Sequence, residues 1–241
     1  MTTPVMPQTR EKPQQKPQQI PLDLPHREAY GREDFLISPS NEEAVKWIDL
    51  WPEWTAPVLI LYGAEASGKT HLSYVWQEKS EALRLPIKDL PDVDLARIFA
   101  RNHALIIEDV DRAIGDSELE IALFHLYNMA KENKKTVLLT APVVQSQWDF
   151  VLPDLRSRLC AAPSVSIHAP DDDLVKLVLV KLFYDRQLEV SSEVVDYILP
   201  RIERSFSFVR QLVEKTDKIA LAEKKGVTIP VIKKAFEEID G

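Results

Sequence analysis

Gly63-Ala64-Glu65-Ala66-Ser67-Gly68-Lys69-Thr70 reads G-x-x-x-x-G-K-T and follows directly on the apolar run Pro57-Val58-Leu59-Ile60-Leu61-Tyr62. Glycine at 63 and 68 lets successive backbone N–H groups curl round a polyphosphate, and the helix that follows turns its positive end toward the same anion. Lys69 is placed to reach the outer phosphates and the Thr70 hydroxyl to help hold Mg²⁺. An ordinary glycine-rich turn can carry the same letters. Here a buried-strand pattern precedes the loop and apolar residues at helical spacing (Leu72, Val75, Trp76) follow it, which is the context a phosphate loop needs.

Working outward, Ala104-Leu105-Ile106-Ile107 runs into Glu108-Asp109-Val110-Asp111. Four apolar residues ending in carboxylates read as a buried parallel strand whose C-terminal end lies where such sheets bind ligands. In a phosphate-loop protein that end serves Mg²⁺ and the attacking water; otherwise it is a core strand with an acidic turn. Between the two stretches, Ala82–Pro86 suits a short strand and Asp94–Arg101 a short helix. After them, 117–133 carries helical spacing and Thr136–Thr140 a further buried strand. Alternating strand and helix is the pattern of a parallel sheet covered by helices. Phe35-Leu36-Ile37 leads into a helix from about 42 to 50, with Ser40 or Asn41 as its cap and Trp51-Pro52 as its stop. Four more helices follow from Asp171: 171–186, one capped by Ser191 or Ser192 and running to Arg204, 206–224 and 229–239.

The chain has 241 residues, 45% of them hydrophobic, enough for a substantial core. A net charge of −8 argues against a surface built mainly for the phosphate backbone of nucleic acid. The single cysteine, Cys160, excludes internal disulfides and is expected to be a small buried apolar residue. Five histidines lie scattered without ligand spacing. No apolar run approaches a membrane span and the N-terminus lacks a signal-peptide core, so the cytoplasm is the expected compartment. Residues 1–18, crowded with Pro, Gln, Thr and Lys, are expected to be disordered. They lead to Gln19-Ile20-Pro21-Leu22-Asp23-Leu24-Pro25, an extended strip that either docks into a partner's groove or packs back on the domain.

These stretches together resemble the DnaA branch of the AAA+ ATPases and, within it, the Hda family of initiator regulators. The resemblance spans nearly everything from residue 19 onward. Its carriers are the leader Phe35–Asn41, the Walker A stretch Gly63–Leu72 and Phe124-His125-Leu126-Tyr127-Asn128. To these it adds Leu152-Pro153-Asp154-Leu155-Arg156-Ser157-Arg158-Leu159, similar to an arginine-finger segment, and Phe208-Val209-Arg210-Gln211-Leu212, similar to the sensor II region. It implies an α/β fold: an AAA+ P-loop domain with a parallel sheet flanked by helices over 33–168, and a small C-terminal α-helical lid over 169–241. The clamp-binding peptide would be 19–25, behind the 1–18 tail.

The resemblance also implies roles. Gly63, Ala66, Ser67, Gly68, Lys69, Thr70 and His71, with Arg210, would hold ADP or ATP. Thr70 and Glu108 would hold Mg²⁺, and Asp109 would orient water. Arg158 would be a finger acting in trans, with Arg156 a loop-orienting neighbour; as bare residues, both are equally readable as surface ion pairs. Gln19, Ile20, Leu22 and Leu24 would occupy the groove of the sliding clamp, the β subunit of DNA polymerase III. DnaA would be the second partner and a homo-oligomer a further state, with neither a DNA-binding domain nor a membrane contact. The chain departs from the initiator pattern in carrying Glu108-Asp109 where Asp-Asp is usual, and in offering only Thr140 where a polar sensor I residue is expected. Nucleotide holding survives those departures better than hydrolysis does. The expected protein stimulates hydrolysis on DnaA-ATP and hydrolyses little itself. The alternatives are an adaptor that only recruits the initiator and a self-sufficient motor.

Overall fold

A computed structural model describes residues 35–202 and 205–240. The segments 1–18 and 19–25 therefore lie outside the described residues. Five parallel strands form one sheet in the order β2-β3-β4-β1-β5. They are β1 (Val58–Tyr62), β2 (Leu83–Arg84), β3 (Ala104–Ile107), β4 (Thr136–Ala141) and β5 (Ser164–Ser166). Side chains alternate across a strand, so each buried run supplies both faces. Val58, Ile60, Leu105, Ile107, Val137 and Leu139 enter the core on one face. Leu59, Leu61, Ala104, Ile106, Leu138 and Val165 enter the other. Burying aliphatic side chains of this size contributes roughly 1.5–3 kcal/mol each.

The first face is covered by α3 (Leu95–Arg101), α4 (Ser117–Glu132) and α5 (Pro153–Ala161), the second by α1 (Glu42–Leu50) and α2 (Lys69–Ser80). Tryptophans dominate the second face. Trp54 stacks on the fully buried Trp76 at 5.1 Å with an interplanar angle of 11°, and Trp51 meets Trp76 edge-on at 6.0 Å. The polar ends of two of these rings are satisfied, Trp54 Nε1 donating to the Trp47 carbonyl and Trp51 Nε1 to Thr136 Oγ1.

Beyond β5, α6 (Asp172–Asp185), α7 (Ser192–Ile198), α8 (Phe206–Glu223) and α9 (Ile229–Asp240) enclose their own core around Leu179, Phe183, Ile198, Leu212 and Ile232. Asp171, Ser191 and Ser205 cap α6, α7 and α8 by accepting from backbone N–H groups three residues on. At the far end, Glu223 is hydrogen-bonded by Lys234 and Lys225, which hold its carboxyl down to about 2 and tie α8 to α9.

Three expectations change. Neither Ser40 nor Asn41 caps α1 with its side chain: Asn41 is buried and spent on the leader, accepting from Ser38 N–H and donating to the Leu36 carbonyl, while Ser40 pairs with Ser38. Cys160 is exposed, because Leu155 and Leu159 occupy the inward face of α5 and leave 160 on the outer one. The helix starting at Ser192 ends at Ile198 in a short 3₁₀ turn through Pro200, and residues 203 and 204 lie outside the described residues.

Candidate functional site

The loop after β1 turns on backbone that only certain residues tolerate. Ala66 and Gly68 have φ of +57° and +106°. A Cβ on Gly63 would meet the Ile167 carbonyl oxygen at 2.1 Å, so that position admits glycine alone. Ser67 Oγ is buried without a hydrogen-bond partner among the described residues, and Thr70 is exposed at the first turn of α2. Lys69 Nζ folds back on the loop, donating to the Gly63 and Ala64 carbonyls at 2.7 and 2.8 Å. Burial pulls the Lys69 ammonium below its ordinary value, countered in part by the charges of Asp109, Asp111, Glu65 and Glu108. His71 meets the Phe35 ring edge-on at 5.1 Å, which joins the leader to α2.

β4 lies between β1 and β3, so the loop and the acidic turn face each other across the C-terminal end of one strand. The Thr140 hydroxyl, at that end of β4, accepts the Asp109 N–H at 3.1 Å. Asp109 itself sits in the left-handed region with φ +51°, and its carboxylate pairs with Arg112 at 3.1 Å. Glu108 points elsewhere: one oxygen accepts from Ser73 Oγ at 3.1 Å and the other pairs with Arg84 at 2.9 Å. Arg84 in turn donates to Gln77 and Ser73 and lies 3.7 Å over the Tyr74 ring.

Asp111 is the carboxylate the sequence left without a role. Its Oδ1 is buried with no hydrogen-bond partner among the described residues. Desolvation raises its carboxyl above the ordinary range, helped by Asp109 and opposed by its own backbone hydrogen bond, Arg112 and Lys69. The spacing Glu108-x-x-Asp111, beyond an apolar run, was the signal for it. Among the described residues no group of three or more His, Cys, Asp or Glu side chains is gathered for a metal ion. A magnesium ion held by one hydroxyl and by phosphate oxygens requires no such group.

Arg84 and Glu108 are each less than a third exposed, so removing one partner strands the other. Arg84→Ala is expected to lower unfolding free energy by about 1–3 kcal/mol, and the Arg84→Ala/Glu108→Ala pair to lose less than the sum of the two single changes. Urea unfolding of the four proteins checks this, and strict additivity would remove the pair from the account of the site.

The other end of the site comes from α8. A Cβ on Gly68 would lie 3.5 Å from the Phe206 ring, which puts the start of α8 against the phosphate loop. Arg210 follows one turn on and is half-buried. On the face of the sheet away from α2, Arg156 and Arg158 project from α5, both exposed; among the described residues neither guanidinium has a hydrogen-bond or ion-pair partner.

This arrangement is similar to domain III of the replication initiator DnaA from Thermotoga maritima, with a TM-score of 0.76 at 19% identity over 89% of this chain and 98% of that one. In sequence the chain is 24% identical over 201 residues to the DnaA of Flavobacterium psychrophilum, covering 75% of this chain and 41% of the initiator. Residues 172–236 match the family model described as the lid domain of Hda. The C-terminal helices thus match the Hda lid, and the chain shares the fold of DnaA domain III.

A further relative, an uncharacterised protein of Haemophilus influenzae, is 28% identical over 187 residues, or 74% of this chain and 80% of the relative. The matched lid segment contains Phe206, whose ring lies against Gly68, and Arg210 one turn further along α8. No helix among the described residues is long and apolar enough to cross a membrane.

Proposed function

We propose that this chain is a negative regulator of replication initiation that binds the sliding clamp, docks on DnaA-ATP and presents Arg158 in trans to stimulate hydrolysis of the initiator's ATP. The observation that carries the reading is Arg158 itself, an exposed guanidinium on α5 with no partner among the described residues. An arginine that serves a surface ion pair has a carboxylate beside it, whereas one that serves a neighbouring subunit's phosphate waits unpaired. The Hda-type lid supports the choice of partner.

The chain's own loop fits a nucleoside di- or triphosphate with Mg²⁺. Positive-φ backbone, the buried Ser67 hydroxyl, Lys69 and Thr70 would form the donor set, with His71 next on α2 and Arg210 on α8, one turn beyond the Phe206 ring that lies against the loop. Bound there, the nucleotide supplies an anion that draws loop and lid together. Glu108 and Asp109 act weakly in hydrolysis, since Glu108 is spent on Arg84 and Ser73 and Thr140 on the Asp109 N–H. The proposed organisation is a tail over 1–18, a clamp-binding peptide over 19–25, the nucleotide domain over 33–168 and the lid over 169–241, in a cytoplasmic protein able to associate with its own kind.

The assignment of Gln19, Ile20, Leu22 and Leu24 to the clamp rests on the resemblance of this stretch to the family's clamp-binding peptide, with Ile20, Leu22 and Leu24 as alternating apolar anchors for a groove. A Leu22→Ala/Leu24→Ala double change is expected to raise the concentration of chain needed for half-maximal stimulation on DNA-loaded clamp by more than tenfold, while leaving nucleotide binding unchanged. Labelled ATP preloaded on DnaA is followed with and without clamp. Stimulation by the double variant equal to wild type would remove the clamp peptide from the proposal, and no stimulation by wild type would leave an adaptor that only recruits.

A further inference from the structure

Glu120 stands on the face of α4 that carries Leu123 and Tyr127, and it is fully buried. A carboxylate in such a place costs several kcal/mol unless it is hydrogen-bonded. Here both oxygens are engaged by backbone. Oε1 accepts from Gly115 N–H at 2.9 Å and from Val151 N–H at 3.0 Å, and Oε2 accepts from Val151 N–H at 3.1 Å and Leu152 N–H at 2.6 Å.

Leu152 is the N-cap residue of α5, and no side chain of that helix caps its own start. The first N–H groups of a helix lack intrahelical acceptors and its N-terminal end carries partial positive charge. Glu120 supplies from α4 the anionic cap that α5 lacks. Its third donor, Gly115, closes the turn that follows the acidic residues at the end of β3. One buried carboxylate thus joins the acidic turn, α4 and the helix that carries Arg158.

Hydrophobic burial of Leu155 and Leu159 holds α5 against the core without fixing its direction, because that attraction is non-directional. Hydrogen bonds at its N-terminus do fix it. Resting on the finger reading of Arg158, we propose that Glu120 is the positioning residue of the finger, setting the angle at which α5 presents the guanidinium to the partner's nucleotide. A misplacement of about 1 Å at a reacting centre can cost on the order of a hundredfold in rate.

Glu120→Gln tests it, since an amide keeps the volume but replaces one acceptor oxygen by a donor that faces N–H groups. Expected first is at least tenfold faster amide exchange over 150–159, with 206–223 unchanged and the affinity for a fluorescent ADP analogue within twofold. Expected next is at least a tenfold fall in maximal stimulation of DnaA-bound ATP hydrolysis at an unchanged half-saturating concentration. In an Arg158→Ala background Glu120→Gln should then bring no further loss. Glu120→Asp, which keeps the charge and withdraws it by one methylene, gives a folded intermediate case if the glutamine variant is too unstable to study. Unchanged exchange over 150–159, or exchange raised equally along the whole chain, overturns the proposal. If Arg158→Ala loses stimulation while Glu120→Gln retains it, Glu120 alone is misassigned. If Arg158→Ala retains stimulation, the finger reading fails and the role of Glu120 falls with it.

Discussion

Arg158→Ala is expected to lower the stimulated hydrolysis of DnaA-bound ATP by about three to five orders of magnitude, the range associated with removing an arginine finger from a phosphoryl-transfer site. Nothing in the chain's own fold opposes so selective an effect. Arg158 is exposed on α5, touches no carboxylate among the described residues, and leaves the core to Leu155 and Leu159. Its truncation should therefore change unfolding free energy by no more than about 0.5 kcal/mol, the usual range for a surface position. Arg156→Ala, two residues away on the same helix, is expected to cost far less in rate, because only one guanidinium can meet the transferred phosphoryl group. Single-turnover measurements with labelled ATP on the initiator separate the two. A loss of less than tenfold for Arg158→Ala would sink the finger assignment and favour an adaptor.

Gly63→Ala should cost the chain both its fold stability and its nucleotide. The added methyl would sit 2.1 Å from the Ile167 carbonyl oxygen, a backbone atom that cannot swing aside. Ile167 is pinned by its own N–H to the Tyr62 carbonyl at 2.7 Å, and the next residue, His168, by its N–H to the Ser40 carbonyl at 3.0 Å. Relief must come from the loop, whose Gly63 N–H is held by the Ala141 carbonyl and whose Gly63 carbonyl receives Lys69 Nζ. A clash against so fixed a neighbour is expected to cost about 3 kcal/mol, the upper end for overpacking. Affinity for an ADP analogue should fall by at least a hundredfold as the loop and Lys69 move. Gly115→Ala is the control: φ is also positive there, but a Cβ meets nothing within 4 Å, so only backbone strain of about 1 kcal/mol is incurred. Equal stability of the two variants would show that the Ile167 contact is not limiting.

What the sequence made legible was whatever depends on unbroken pattern. The apolar runs of β1, β3 and β4, the loop and the helical spacings of α2, α4 and α8 each repeat one instruction many times. The β5 strand is invisible because it has three residues, two of them serine, and owes its place to pairing with Ile60, Leu61 and Tyr62. Asn41 shows why a good capping residue need not cap: its oxygen accepts instead from the Ser38 N–H of the leader. Cys160 is exposed although its residue type favours burial, because its helical phase sets it off the face carried by Leu155 and Leu159. In the site, Lys69 and Thr70 came from a motif, whereas the engagement of Glu108 by Arg84 depends on two strands meeting side by side, which no local spacing records. Glu120 did leave a trace. It is an acidic residue at i−3 and i−7 from Leu123 and Tyr127, on a face that is otherwise apolar.

Four of the five tryptophans gather on one face of the sheet, and one of them, Trp76, lies on the helix whose first residue is Lys69. Indoles stacked 5.1 Å apart couple through their strong far-ultraviolet transitions, so the Trp54–Trp76 pair is expected to give a far-ultraviolet circular-dichroism couplet whose sign and size depend on the relative orientation of the rings. Any tilt of α2 turns one ring of that pair against the other. The chain thus carries its own optical gauge of events at the phosphate loop, readable without dye or label.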